Sequence, residues 1–265
     1  MQRAQSSEYG KKLVSMGTSL DTEHDYMSEL KRMAEQLTDI LKDNFVGLYI
    51  MGSFVMGDWN PKTSDIDFIA VTMKTLNKKE SLEISKMHKA LAKTDLGKKL
   101  DGAYTYLEQL QQKRFKEKTG SFEDHEFKPD CPCHLSVDNI LCLLQFGKCI
   151  EGVPIRELGL SVSEEELSQA AHDMLFEDMK EVDKKDNFQT LYNILIDMLR
   201  CIFTLETGKL PTKPKAIEHC RNLVGKNLHE NIKAFREGRI KEFTIEKNDL
   251  NRIASYGLSK KNMRL

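Results

Sequence analysis

Two short apolar runs bracket a polar loop, and this arrangement constrains the chain more than any other feature. The first run is Phe45-Val46-Gly47-Leu48-Tyr49-Ile50-Met51, which ends in Gly52-Ser53. The second is Asp65-Ile66-Asp67-Phe68-Ile69-Ala70-Val71. Both are β-prone and bounded by turn residues, so both read as strands. Gly57, Asp58, Asn60, Pro61 and Lys62 make the intervening stretch a turn. Strand residues two apart share a face. Asp65 and Asp67 therefore project together, about 7 Å apart at ~3.3 Å of rise per residue. Two carboxylates that close repel unless a cation lies between them. A hard divalent ion with oxygen ligands, Mg²⁺ above all, suits that place. Gly52 lets a backbone amide approach a ligand closely. Ser53 adds a hydroxyl and starts a short helix whose first amides can hold a phosphate. Together these parts describe a site for a metal-bound nucleoside triphosphate. An isolated Asp-x-Asp is most often two solvated carboxylates, and an isolated Gly-Ser says little. The spacing between two strands carries the reading.

Apolar residues recur at helical spacing around this unit. Met27, Leu30, Met33, Ala34, Leu37, Ile40 and Leu41 predict a helix over about 23–43, capped by Asp21 or Thr22. Residues 78–94 predict a second helix and 100–107 a third strand. Residues 111–133 are polar and read as a long loop or insertion. From 136 onward the pattern is helical, over about 137–146, 163–182, 188–207, 213–224, 228–237 and 246–256. Gly147, Gly208 and Gly238 each close one of these segments. Mixed strands and helices giving way to helices alone predict two domains, 20–135 and 136–265, joined near 145–160. The expected fold class is α/β (α+β): a small mixed sheet followed by a helical bundle.

The fuller string Gly-Ser-x₃-Gly-x-Trp-x-Pro-x-Thr-Ser-Asp-Ile-Asp-Phe, residues 52–68, resembles the nucleotidyltransferase superfamily with the DNA polymerase beta-like fold. Within it, the string is most similar to the aminoglycoside nucleotidyltransferases of the streptomycin/spectinomycin adenylyltransferase type. The resemblance is strong over 45–71 and extends more weakly to about 240. It implies that Asp65 and Asp67 hold Mg²⁺, and that Gly52, Ser53 and Ser64 cradle the phosphates of ATP. It places a base at Asp101, where those enzymes carry a glutamate one methylene longer. It also implies that Arg200 and Lys213, in the second domain, reach ATP phosphates. The implied acceptor is a small cationic antibiotic, an aminoglycoside or aminocyclitol, which receives AMP on a hydroxyl. The substrate side departs from the family. Trp59 is the only tryptophan, so the streptomycin-contacting tryptophan has no counterpart. The family's aminoglycoside-facing acid falls near Thr190, with Asp183 and Asp186 nearby as substitutes. The residues leave open another acceptor, such as a lincosamide, a protein hydroxyl or an RNA end. They also leave open a non-catalytic nucleotide-binding regulator.

Composition excludes other classes. Forty basic residues against 41 acidic ones leave a net charge of −1, which argues against a protein that grips a nucleic-acid backbone. The basic runs around Lys78, Lys98 and Lys113 alternate with acids and lack aromatic platforms, so they read as solvated faces. No apolar stretch reaches the ~20 residues of a membrane helix, and the N-terminus shows no signal-peptide core. The six cysteines then predict free thiols in a cytoplasmic protein, and the expected state is a monomer or weak dimer. His125, Cys131, Cys133 and His134 suggest zinc by type, but Cys-x-Cys-His is tighter than the usual ligand spacing. Free thiols are the expectation there.

Overall fold

The structure is a computed structural model that describes residues 26–61 and 63–260. The predicted cap at Asp21 or Thr22 and the first turn of its helix lie outside the described residues, as does the polar N-terminal extension. The chain divides into two compact units. Among the described residues, the first takes those up to Leu135 together with Leu143–Leu160, and the second takes Ser136–Cys142 and those from Ser161.

The first unit is built on a six-stranded mixed sheet. Helix α1 (residues 26–41) leads into β1 (Phe45–Met51), the short α2 (Ser53–Met56) and β2 (Ile66–Thr72). Helix α3 (Lys78–Leu91) then carries the chain to β3 (Leu100–Tyr106). β2 and β3 are parallel, and a parallel pair needs such a crossover. Asn77 and Glu80 start α3 with a reciprocal capping box. After α4 (Leu107–Gln112) come β4 (Ser121–Glu123) and β5 (Glu126–Lys128). Helix α5 (Val137–Phe146) leads to β6 (Lys148–Gly152), and the strand order is β5-β4-β3-β2-β1-β6.

Two segments of this unit differ from expectation. The predicted loop 111–133 contains the β4–β5 hairpin. Its two-residue turn, Asp124-His125, has positive φ at both positions, 50° and 64°. That is the backbone hand that matches strand twist, but three-residue strands leave no readable alternation. Residues 143–160, assigned from sequence to the junction and the helical half, group with the sheet, because β6 pairs antiparallel with β1. The Tyr49 hydroxyl donates to the Val153 carbonyl at 2.7 Å and pins that return.

Alternation along the strands builds the core. Leu48, Ile50, Phe68, Ala70 and Tyr104 pack with Leu30, Met33 and Leu37 of α1 and Ile84 and Met87 of α3. His88 is buried there. Its ring stacks on Phe122 at 4.0 Å, and its Nε2 lies 2.8 Å from the Tyr104 hydroxyl. Burial pushes its pKa down to about 3, so the ring stays neutral.

The second unit is helical. It contains α6 (Glu164–Val182), α7 (Phe188–Thr207), α8 (Lys213–His219), α9 (Arg221–Val224), α10 (Lys226–Arg236) and α11 (Lys247–Leu258). The single predicted helix 213–224 is thus two short ones that meet at Cys220. Helix α7 packs against α6, α8 and α11. It is buried along most of its length, as an apolar helix at the centre of a bundle must be. Gly208 ends it in the left-handed conformation, φ 69°.

Candidate active site

The carboxylates are placed by strand register. Asp67 is the second residue of β2. It pairs with Met51 of β1 on one side and with Asp101 of β3 on the other. Residues opposite one another on neighbouring strands share a face, and adjacent strands lie about 4.8 Å apart. Asp67 and Asp101 thus stand side by side at the start of two parallel strands. Asp65 lies just before the first ladder residue of β2 and is exposed, whereas Asp67 is partly buried.

Electrostatics links the acids. The carboxyl of Asp101 is pushed above the ordinary carboxylate range, first by burial, then by the charge of Asp65, then by Glu123 and Asp124. The backbone amide of Gly102 offsets part of this. Glu123 is itself paired with Lys128 at 3.5 Å and with His134 at 3.4 Å. It was not singled out from sequence, because it reaches Asp101 only through the β4–β3 pairing. The shared negative charge and the all-oxygen donors fit a hard cation. Among the described residues no three His, Cys, Asp or Glu side chains converge into a metal-binding group. Mg²⁺ does not need three, since it commonly takes one or two carboxylates and completes its shell with substrate phosphates and water.

The loop before β2 is held in place locally. Gly52 has φ 71° and precedes α2, a backbone conformation that disfavours other residues. A Cβ there would meet Asp67 Oδ2, so the turn and the carboxylate occupy one space. Ser53 opens the predicted short helix, which is a single turn ending at Gly57. Trp59 packs edge-on against Phe54 at 5.1 Å and Tyr26 at 5.8 Å and so anchors the loop. The Ser64 Oγ accepts from the Asn60 amide at 3.1 Å, and the Ser64 amide donates to the Asn60 carbonyl at 2.8 Å. The loop therefore closes on itself just before Asp65. The serine hydroxyl keeps its own proton to donate.

The two predicted cations of the helical unit share a neighbour. Arg200 Nη1 donates to Asp197 Oδ1 at 3.3 Å, and Lys213 also acts on the Asp197 carboxyl. Burial raises that carboxyl, and Arg200 and Lys213 pull it back. Asp178 lies in the same region. Burial first and then the charge of Asp197 push its pKa up to about 7, and its Oδ2 is buried without a hydrogen-bond partner. Sequence reasoning missed Asp138, Asp178 and Asp197. The Asp-x-x-Arg spacing on α7 could have revealed Asp197.

The remaining candidates are occupied elsewhere. Cys131 Sγ lies 3.0 Å from Ser121 Oγ and donates to the Lys128 carbonyl, and Cys133 is buried. Neither joins a metal-binding group with His125 or His134 among the described residues. Asp186 is paired with Lys247 at 2.7 Å, and the same amine donates to the Asp183 carbonyl. The Thr190 amide donates to the Asn187 side chain at the start of α7.

A family model described as "Nucleotidyltransferase domain" matches residues 31–124. That span runs from α1 to the β4–β5 turn and includes Asp65, Asp67 and Asp101. Residues 31–124 are a nucleotidyltransferase domain. Among solved structures, the chain is similar to spectinomycin adenyltransferase AAD(9) from Enterococcus faecialis, solved with ATP and spectinomycin. The identity is 19% and the TM-score 0.62, over 90% of this chain and 98% of that one. At that identity the likeness establishes a shared fold, that of an N-terminal nucleotidyltransferase domain followed by a helical region. A toxin–antitoxin structure with AMP-PNP is matched at 16% identity over 47% of this chain and 79% of that one. Its TM-score of 0.27 carries no weight. No curated protein sequence matches the chain. Among the described residues no helix is long and apolar enough to cross a membrane.

Proposed function

We propose that the protein transfers AMP from ATP to a hydroxyl of a cationic small molecule of the aminoglycoside or aminocyclitol class, with release of pyrophosphate. The observation that carries the reading is the rung Met51–Asp67–Asp101, which sets two carboxylates side by side next to the Gly52-Ser53 turn.

In this reading Asp65 and Asp67 hold Mg²⁺, which when bound neutralises phosphate charge. The turn at Gly52 and Ser53 and the hydroxyl of Ser64 contact phosphate oxygens. Arg200 and Lys213 supply a fork of donors and a point charge for the triphosphate. Asp101 takes the proton from the acceptor hydroxyl as its oxygen attacks the α-phosphorus. The bond from the α-phosphorus to the bridging oxygen then breaks, and pyrophosphate carries away that electron pair. A carboxyl held above its ordinary value is a stronger base than a free one, which suits this role. The excess of acids around Asp101 favours an acceptor that carries positive charge. The likeness in fold to an enzyme solved with ATP and spectinomycin supports the same acceptor class.

Incubation with ATP, Mg²⁺ and a panel of aminoglycosides and aminocyclitols tests the reading. The expected result is pyrophosphate release together with an acceptor heavier by one adenylyl group. If no member of the panel is modified, the acceptor class is wrong. If pyrophosphate is released only with a lincosamide, protein or RNA, nucleotidyl transfer stands with a different acceptor.

A further inference from the structure

Arg200 has more carboxylate company than a helix arginine needs. Asp197, one turn earlier on α7, accepts from Nη1 at 3.3 Å. Asp138 Oδ2 lies 4.0 Å from Nη2, and Asp138 Oδ1 accepts from the Ser136 hydroxyl. A cavity of about 50 Å³ opens beside these groups, with Ser136, Asp138 and Arg200 as its polar lining and Leu167, Met174 and Cys201 among its apolar lining. Every residue named here belongs to the helical unit.

A guanidinium carries five donors in a planar fork. Asp197 takes one at one edge and leaves others for a ligand. Solvated ion pairs one turn apart contribute little to stability, but this pair is partly buried. Burial works against the Arg200 charge, and Asp197 followed by Asp138 more than offsets it, so the group is held above its ordinary value. The arginine is therefore both charged and fixed in direction. A long side chain loses rotamer freedom when it is ordered. If that ordering is already complete, ligand binding does not bear it again.

We propose that Asp197 is a positioning residue: its carboxylate aims the Arg200 guanidinium so that the remaining N–H groups meet the triphosphate of ATP. The proposal rests on the phosphate-binding role given to Arg200 above. The test compares wild type, Asp197→Asn, Arg200→Ala and the double variant, each checked for fold by circular dichroism. ATP binding in the presence of Mg²⁺ is measured by calorimetry, and KM for ATP and kcat are measured separately. Asp197→Asn should weaken ATP binding and raise its KM about 5- to 20-fold, with a smaller change in kcat. Asp197→Glu should recover much of the loss. The double variant should bind ATP no more weakly than Arg200→Ala alone, since a residue acting through another adds nothing once that other is gone. Asp197→Ser serves in the same cycle if the Asn variant does not fold. Unchanged ATP binding in the Asp197 variants overturns the proposal, as do losses that multiply in the double variant. If Arg200→Ala also binds ATP normally, the phosphate role of Arg200 falls as well. If only that variant weakens binding, the role stands and the positioning proposal alone fails.

Discussion

A Cβ on Gly52 would lie 1.9 Å from Asp67 Oδ2. The turn that follows β1 and the carboxylate near the start of β2 are therefore one packed unit. Gly52 also has φ 71° and ψ −156°, a region open essentially only to glycine, where an L side chain costs about 1–3 kcal/mol. Gly52→Ala should displace the Asp67 carboxylate. Nucleotidyl transfer should fall at least about 100-fold, because a 1 Å misplacement suffices for that, while stability falls by about 1–3 kcal/mol. Pyrophosphate release and urea unfolding measure the two effects. Normal activity would mean that Asp67 is not held by this turn.

Asp65→Asn and Asp67→Asn should each remove most of the turnover, while the protein keeps its fold. Neither residue is part of the apolar core. Asp65 raises the Asp101 carboxyl through its charge, so Asp65→Asn should also bring that carboxyl closer to its ordinary value. Chelation of divalent ions should silence the wild type and readdition of Mg²⁺ should restore it. Full turnover in either variant would contradict the metal assignment.

The pH profile should report Asp101. The base must be ionised, so kcat/KM should rise with pH through a value above the ordinary carboxylate range, as burial and the charge of Asp65 require. Asp101→Asn should lower kcat about 10²- to 10⁴-fold and abolish that limb. The same raised value means that the folded protein binds more protons than the unfolded chain between the two pKa values. This contribution to stability therefore falls as pH rises through that window.

Asp178 gives a stability test in the helical unit. Its folded pKa, pushed up to about 7 by burial and then by Asp197, exceeds the unfolded value near 4. Ionisation is thus disfavoured in the folded state, and stability declines as pH rises from about 4 to 7. Asp178→Asn removes the charge and should be more stable than wild type at pH 8, by about 1–2 kcal/mol after allowance for solvent screening. The two proteins should converge below pH 4. Denaturant melts across pH measure the difference, and equal stability at pH 8 would show that the carboxyl is not strained.

Much of the sheet unit was legible because its signals are local. Phe45–Met51 and Ile66–Thr72 form the two strands expected, and the turn between them begins with Gly52-Ser53 and a one-turn helix. The family resemblance carried by residues 52–68 agrees with the domain match over 31–124 and with the shared fold. Legibility faded where elements were short. β4 and β5 have three residues each, too few to show a period, and the Asp124-His125 turn lacks the glycine that usually marks such hairpins. β6 follows Gly147 and is mostly polar and exposed, so it looked like a linker.

The sequence by itself determined the strand–turn–strand unit, the pair Asp65 and Asp67 within it, and the helical character of the second half. Each of these depends on residues a few positions apart, whose relative direction is fixed by backbone geometry. Only the tertiary structure decided that Asp101 stands opposite Asp67, that Gly52 shares its space, and that Asp138 and Asp197 flank Arg200. Those relations depend on strand register and on helix packing. Both are set by burial of apolar faces distant in sequence, and a shift of one residue in register would turn Asp101 to the opposite side of the sheet.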